Sequence, residues 1–244
     1  MKHILSNLGD LDIQVYLDSA DLDIIKKYSF HENIKGFTSN PSLMSKSGIK
    51  SYKEFIQTFL SISNGKPVSF EVTSDTMEEM ETQAKKISSF SNQIFVKIPV
   101  CNTKGESTKK LVHKLSNEKI KINITAIMSF EQVKDIIDNI NPGAEIILSI
   151  FAGRIADTGR DPEEIVLQSK NYIIQTKKNK FKILWASVRE IFNLFQAERS
   201  KVDIITLTPE ILEKIKLRNK DLQQYSIETA KMFYDDARKN LLDI

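Results

Sequence analysis

Lys97 lies inside "QIFVKIPV" (residues 93–100), among Ile94, Phe95, Val96 and Ile98, with Pro99 behind them. An ammonium group in such company needs a partner or a purpose. The purpose open to it is nucleophilic. Burial disfavours the charged form, so the pKa can fall from about 10.4 towards ~7–8, freeing a lone pair to form a Schiff base with a carbonyl compound. The plainer alternative is a solvated lysine on an edge strand. Schiff-base chemistry also needs proton traffic. Asp18, which ends "IQVYLD" (13–18), could carry it, although "DSAD" before "LDIIKKY" equally reads as a helix N-cap with Asp18 or Ser19 as the capping residue. Glu71 sits within "PVSFEVT" (67–73), where a cap is implausible and an unpaired carboxylate would be costly. It calls for a cation or a catalytic role, and Lys97 on the next strand offers both. Thr125 is suited to holding a water between these groups.

A second set of polar residues surrounds the first. In "TSNPS", proline at a first helical position marks a cap, a role we assign to Ser39, while Asn40 could also hydrogen-bond hydroxyls of a ligand. Asn123 lies inside a strand. Arg154 in "FAGRIAD" and Arg189 in "ASVRE" follow the sixth and seventh apolar runs, and a guanidinium fork suits phosphate, with Ser187 as an added donor. Surface ion pairing with Asp157 or Glu190 is the alternative for both arginines.

The elements that must position these groups are short apolar runs alternating with amphipathic stretches. The runs cover 13–18, 36–40, 67–73, 93–100, 121–129, 144–153, 182–190 and 202–209; helix-spaced segments such as "DTMEEMETQAKKISSF" and "STKKLVHKLSNE" lie between them. Strand–helix repetition of this kind, with no Pro/Gly/Ser linker, predicts α/β architecture: one (β/α)8 barrel domain over residues 1–244, followed by a C-terminal helix in "YSIETAKMFYDDARKNLL". A doubly wound open sheet is the rival, but the Gly-rich first turn often found there is absent. Alternation places Gln14, Tyr16 and Asp18 on one strand face, and likewise Thr38 with Asn40, Ser69 with Glu71 and Thr73, Asn123 with Thr125, and Ser187 with Arg189. Lys97 and Ser149 each oppose apolar neighbours. In a sandwich those polar faces would meet water. In a barrel covered by helices they converge inside, near the C-terminal strand ends where barrels place their chemistry; phosphate groups there usually follow strands 7 and 8, so arginines after strands 6 and 7 are a slight departure.

Composition narrows the function classes. A net charge of +3 and no dense Lys/Arg block argue against nucleic acid as a partner. The single cysteine, Cys101, excludes an internal disulfide and any cysteine-based zinc cluster, and His3, His31 and His113 have no metal-ligand spacing. No apolar run approaches the ~20 residues of a membrane span, and "MKHILSNLGDLD" turns polar before a signal-peptide core forms, so a cytoplasmic protein without a membrane partner is expected.

Taken in order, "YLDSAD", "GFTSNPSLMSKSG", "SFEVTSD", "VKIPV", "INITAIMS", "SIFAGRIADTGRDP", "WASVRE" and "IITLTPEIL" resemble the transaldolase family, especially its small single-barrel bacterial-type members. The resemblance implies a (β/α)8 barrel that moves a dihydroxyacetone unit from a ketose phosphate to an aldose phosphate, in the non-oxidative pentose phosphate pathway, without a cofactor or metal. It implies Lys97 as the Schiff-base lysine, Asp18 as the acid/base, and Glu71 with Thr125 as the pair that positions water. Thr38, Asn40, Asn123, Ser149 and Phe151 would surround the dihydroxyacetone portion; Arg154, Ser187 and Arg189 would bind phosphate. Fructose-6-phosphate aldolase is similar but tends to carry Gln at the position of Glu71 and Tyr at that of Phe151, so both positions are of the transaldolase type here. An aldolase acting on fructose 6-phosphate or a related sugar is the alternative function, and a non-catalytic sugar-phosphate-binding barrel a third. "WASVRE" and Ala152 depart from the family's best-known patterns, which leaves acceptor preference open. The family also implies a homo-oligomer through the C-terminal helix; a helix covering its own barrel is the other reading of that segment.

Overall fold

A computed structural model describes Leu8 and residues 11–239, so His3 and residues 240–242 of the expected terminal helix lie outside the described residues. Eight parallel strands close on themselves in chain order. They are β1 (Gln14–Asp18), β2 (Ile34–Thr38), β3 (Val68–Glu71), β4 (Ile94–Pro99), β5 (Ile122–Ile127), β6 (Ile146–Ile150), β7 (Phe181–Trp185) and β8 (Ile204–Leu207). Each overlaps one of the apolar runs, with β2 two residues earlier than its run and β7 starting one residue before its run and ending five before the run does. β8 returns to pair with β1 through Gln14↔Ile204 to Leu17↔Leu207, which rules out an open sheet.

Helices separate the strands: α1 (Leu22–Ser29), α2 (Pro41–Lys46), α3 (Tyr52–Ile62), α4 (Met77–Ser88), α5 (Lys109–Asn117), α6 (Phe130–Asn139), α7 (Ala152–Ala156), α8 (Pro162–Gln175), α9 (Asn193–Arg199), α10 (Pro209–Lys214) and the terminal α11 (Leu222–Lys239). Their starts are written locally. Asp21 caps α1, Thr76 caps α4, and Ser129 with Gln132 forms a capping box on α6. Outward strand residues such as Val96, Ile98, Ile124, Leu148 and Trp185 join the inward faces of the helices in one continuous core. A second, smaller cluster of Tyr16, Ile147, Leu184, Ala186 and Ile204 fills the barrel interior.

β7 departs from the expected alternation. The strand ends at Trp185, and Leu184 and Ala186 face the barrel axis rather than the helices. Ser187 reaches the mouth because its backbone turns into the left-handed region (φ 63°), and Arg189 follows in the loop. β5 also breaks alternation. Its pairing with β6 shifts between Ile124 and Ile127, Ala126 takes φ 60°, and Thr125 and Ala126 both come to line the mouth.

Candidate active site

The C-terminal ends of the strands enclose a cavity of about 540 Å³. Its floor is apolar. Gly36 has no Cβ because one would lie 2.5 Å from the Tyr16 ring, and that clearance lets Tyr16 lie across the interior. Burial pushes the Tyr16 phenol up to about 12, so it stays neutral.

Above this floor the strand registers set the reactive groups side by side. Glu71 pairs with Lys97 across β3 and β4, and Lys97 with Asn123 across β4 and β5. Lys97 is only 6% exposed. Its Nζ lies 2.9 Å from Glu71 Oε2 and donates to the Ser39 carbonyl at 2.9 Å. The lysine is therefore interior, not a solvated edge residue. Tyr52 donates to the Glu71 carbonyl at 2.7 Å and pins the end of β3.

Asp18 does not cap a helix. Asp21 takes that role by accepting from the Asp23 and Ile24 amides, and Asp18 is left at the cavity wall. Its Oδ1 accepts from Thr38 Oγ1 at 2.7 Å. Burial raises the Asp18 pKa above the ordinary carboxylate value, against the opposing pull of the Lys97 charge and the Thr38 hydrogen bond, while the Glu71 charge adds to the rise. The cap expected at Ser39 also falls one residue on: Asn40 Oδ1 accepts from the Leu43 amide at 3.0 Å and Pro41 opens the helix. Asn40 both caps α2 and lines the cavity.

Asn123 is fixed from both sides, accepting from Ser149 Oγ at 2.6 Å and donating to Ser69 Oγ at 3.0 Å. Thr125 Oγ1 is buried and has no hydrogen-bond partner among the described residues. Phe151 lies under Arg154, with the guanidinium carbon 5.5 Å from the ring centroid. Arg154 and Arg189 differ. Arg189 is held by Asp157, with Nη2 to Oδ2 at 2.6 Å and Nε to Oδ1 at 3.3 Å, the ion pair anticipated as the alternative reading. Among the described residues Arg154 has no carboxylate within ion-pair distance. The two loops meet at Gly153, whose amide donates to the Ala186 carbonyl at 3.4 Å.

The residues given a catalytic or binding role from sequence line this one cavity: Asp18, Thr38, Asn40, Glu71, Lys97, Asn123, Thr125, Ser149, Phe151, Arg154, Ser187 and Arg189. Sequence reasoning missed Thr206 and Thr208 on its wall and the Ser39 carbonyl; it placed Ser69 on the inward face but gave it no role, and its hydroxyl accepts from Asn123. Alternation in "IITLTP" was signal enough for the two threonines; a backbone acceptor leaves no such trace. Among the described residues no cluster of three or more His, Cys, Asp or Glu gathers as metal ligands, and no helix is long and apolar enough to cross a membrane.

The family described as Transaldolase/Fructose-6-phosphate aldolase matches residues 15–243. The chain belongs to that family. Similar curated proteins include the probable transaldolase of Thermoplasma volcanium, 33% identical over 207 residues (82% of this chain, 86% of that one). The probable transaldolase of Clostridium botulinum is 31% identical over 225 residues, covering 92% and 98%. Among solved structures, KGPDC from Streptococcus mutans aligns with a TM-score of 0.51 at 13% identity, over 84% of this chain and 91% of that one. A putative phosphonomutase from Burkholderia cenocepacia aligns at 0.55 and 10% identity, over 96% and 98%. At such identities these structures speak for the barrel fold alone.

Proposed function

We propose that this member is a transaldolase. It moves a dihydroxyacetone unit from fructose 6-phosphate or sedoheptulose 7-phosphate to glyceraldehyde 3-phosphate or erythrose 4-phosphate, as in the non-oxidative pentose phosphate pathway. The observation that carries the reading is the juxtaposition of buried Lys97 with Glu71 at 2.9 Å, in a cavity whose rim bears Arg154.

The donor's phosphate docks on Arg154, with Ser187 and Arg189 beside it, and its ketone meets Lys97 Nζ. Glu71, the nearest carboxylate to that amine, takes the proton released on attack and returns it to the departing hydroxyl through a water held by Thr125 Oγ1. With the iminium formed, Asp18 removes the proton of the C4 hydroxyl. The C3–C4 bond breaks, the aldose phosphate leaves, and the bond's electron pair forms an enamine on Lys97. That enamine adds to the acceptor aldehyde, Asp18 gives back its proton, and hydrolysis of the new iminium frees the amine. Asn123 and Ser149 hold hydroxyls of the bound three-carbon unit. No cofactor is needed for any of these steps.

Borohydride added with fructose 6-phosphate should leave a reduced three-carbon unit on Lys97, detectable by peptide mass. An adduct that persists in Lys97→Met, or none in the parent protein, would overturn the assignment. Steady release of free dihydroxyacetone without acceptor would favour the aldolase reading instead.

The proposal extends to assembly. α11 has no buried residue, and Leu222, Ile227, Phe233 and Tyr234 are exposed on it. It does not cover its own barrel, which favours a homo-oligomer formed through this helix. A reducing, cytoplasmic setting suits the free Cys101 thiol.

A further inference from the structure

We propose that Thr206 on β8 is a positioning residue for Asp18: acting through Thr38, it dedicates one carboxylate oxygen to structure and leaves the other for proton transfer. The inference rests on the acid/base role proposed for Asp18.

The argument is a count of protons. Thr38 Oγ1 lies 2.7 Å from Asp18 Oδ1 and 2.6 Å from Thr206 Oγ1. A hydroxyl has one proton to give, and an ionised carboxylate can only accept. Thr38 therefore donates to Asp18, and the Thr38–Thr206 contact forms only if Thr206 donates. The chain runs one way, from Thr206 to Thr38 to Asp18 Oδ1. Thr38 and Thr206 are 3% and 6% exposed, so water does not readily replace either link. The barrel fixes the spacing: Asp18 pairs in register with Thr38, and Tyr16, two residues before Asp18, with Thr206.

Asp18 Oδ2 has no hydrogen bond to any described residue. A proton arriving on Oδ1 would have to turn both threonine hydroxyls round and leave Thr206 needing a new acceptor. A proton arriving on Oδ2 disturbs neither. The relay thus directs the substrate's C4 hydroxyl to Oδ2. Without the Thr206 hydroxyl, the Thr38–Asp18 hydrogen bond loses the donor that polarises it, the carboxylate is less stabilised, protonation of Oδ1 is no longer opposed, and Asp18 holds its proton to higher pH. The charged groups that act on Asp18 are Lys97 from β4 and Glu71 from β3, and the substitutions below leave both in place.

The test is the pH profile of single-turnover cleavage of fructose 6-phosphate in the parent protein and in Thr206→Val, Thr206→Ala and Thr206→Ser. We expect Val and Ala to move the acid limb up by about 0.5–1 pH unit and to slow cleavage below it ~3–10-fold, with the half-saturating fructose 6-phosphate concentration within about twofold, and Ser to restore the parent profile. If Val disturbs folding, judged by thermal melting, Ala decides. Superimposable profiles, or failure of Ser to restore, would overturn the relay. Borohydride trapping separates this from the underlying reading. A Lys97 adduct in the parent protein with unshifted variant profiles sinks the relay alone, whereas no adduct in the parent protein sinks both.

Discussion

Gly153 offers the sharpest test of how the phosphate rim is built. It lies in α7 against the loop after β7, and a Cβ there would fall 1.6 Å from the Ser187 carbonyl oxygen, 2.8 Å from its carbon and 3.1 Å from Arg189 Cγ. The obstacle is backbone, so no side chain can swing aside. Contact becomes ordinary at 3.4 Å, and one of the two loops must therefore retreat by roughly 1.8 Å in Gly153→Ala. Overpacking of this kind costs about 1–3 kcal/mol, partly offset by up to ~1 kcal/mol from better helix propensity. For a net loss of about 1–2 kcal/mol, the melting temperature of a chain of this size should fall by roughly 2–8 °C. The functional loss should be larger, because Arg154 stands next to the substituted residue and Ser187 and Arg189 lie on the displaced loop. A misplacement near 1 Å can cost ~10²-fold, so kcat/KM for fructose 6-phosphate should fall by that order. Fructose, which has no phosphate to place, should lose only a few-fold. The assay is the ratio of kcat/KM for the two sugars in parent and variant, read beside thermal melts. An unchanged ratio with an unchanged melting temperature would refute the close-packed rim; an unchanged ratio with a lowered melting temperature would refute its link to phosphate.

Other substitutions probe the remaining groups. Arg154→Ala should raise KM for phosphorylated donors by ~10–100-fold in steady-state assays, and more than Arg189→Ala does, because Arg189 already spends its fork on Asp157. Asp18→Asn should abolish cleavage yet raise the melting temperature at pH 7. Burial lifts the folded-state pKa above the unfolded one, so the native protein binds this proton more readily and loses stability as pH rises through the window between the two values. A lower melting temperature for the Asn variant would contradict that sign. For the same reason the parent enzyme's acid limb should lie above the ordinary carboxylate range, which a kcat–pH profile checks. Lys97→Met strands Glu71 and should destabilise by about 2 kcal/mol in urea titration, with Glu71→Gln recovering most of it in the double variant. Phe233→Glu should lower the mass measured by light scattering if α11 joins copies of the chain, and leave it unchanged otherwise.

The barrel was legible because two periods coexist in the chain. Period 2 in "FEVT" and "INIT" put polar groups on one strand face, and helical spacing in "MEEMETQAKKIS" supplied the cover for the other. That was enough to gather Lys97, Glu71, Asp18 and Asn123 before any coordinates. It failed where the backbone leaves the ladder. Leu184 and Ala186 point to the axis although "WASVRE" reads with Ser187 and Arg189 inside, because a left-handed residue, not alternation, delivers Ser187 to the mouth. The cap assignments slipped for a related reason. "DSAD" and "TSNP" each offer several capping residues, and strand length decides which one stands at the turn: Asp21 rather than Asp18, Asn40 rather than Ser39. Whether Arg189 faces a phosphate or Asp157 is a matter of tertiary distance that sequence proximity states only as an alternative.

The apolar neighbours that made Lys97 conspicuous act on two sides of the strand. Val96 and Ile98 point outward and lock β4 under the helices, so the residue between them points to the axis. Inside, the polar layer of Asp18, Thr38, Ser69, Lys97 and Asn123 rests on an apolar one of Tyr16, Ile147, Leu184 and Ile204. That lower layer depends on Gly36, since Tyr16 occupies the space a Cβ there would need. With that layer beneath them, the reactive groups face the mouth where the loops carry Arg154 and Arg189. The layer also withdraws water from beneath the ammonium and its carboxylates, which strengthens every charge interaction among them and raises the cost of leaving any one unpaired. Lys97, Glu71 and Asp18 are therefore held as a set. Chemistry that briefly neutralises one of them, as loss of the ammonium proton before attack and proton uptake by a carboxylate both do, acts on the other two at once.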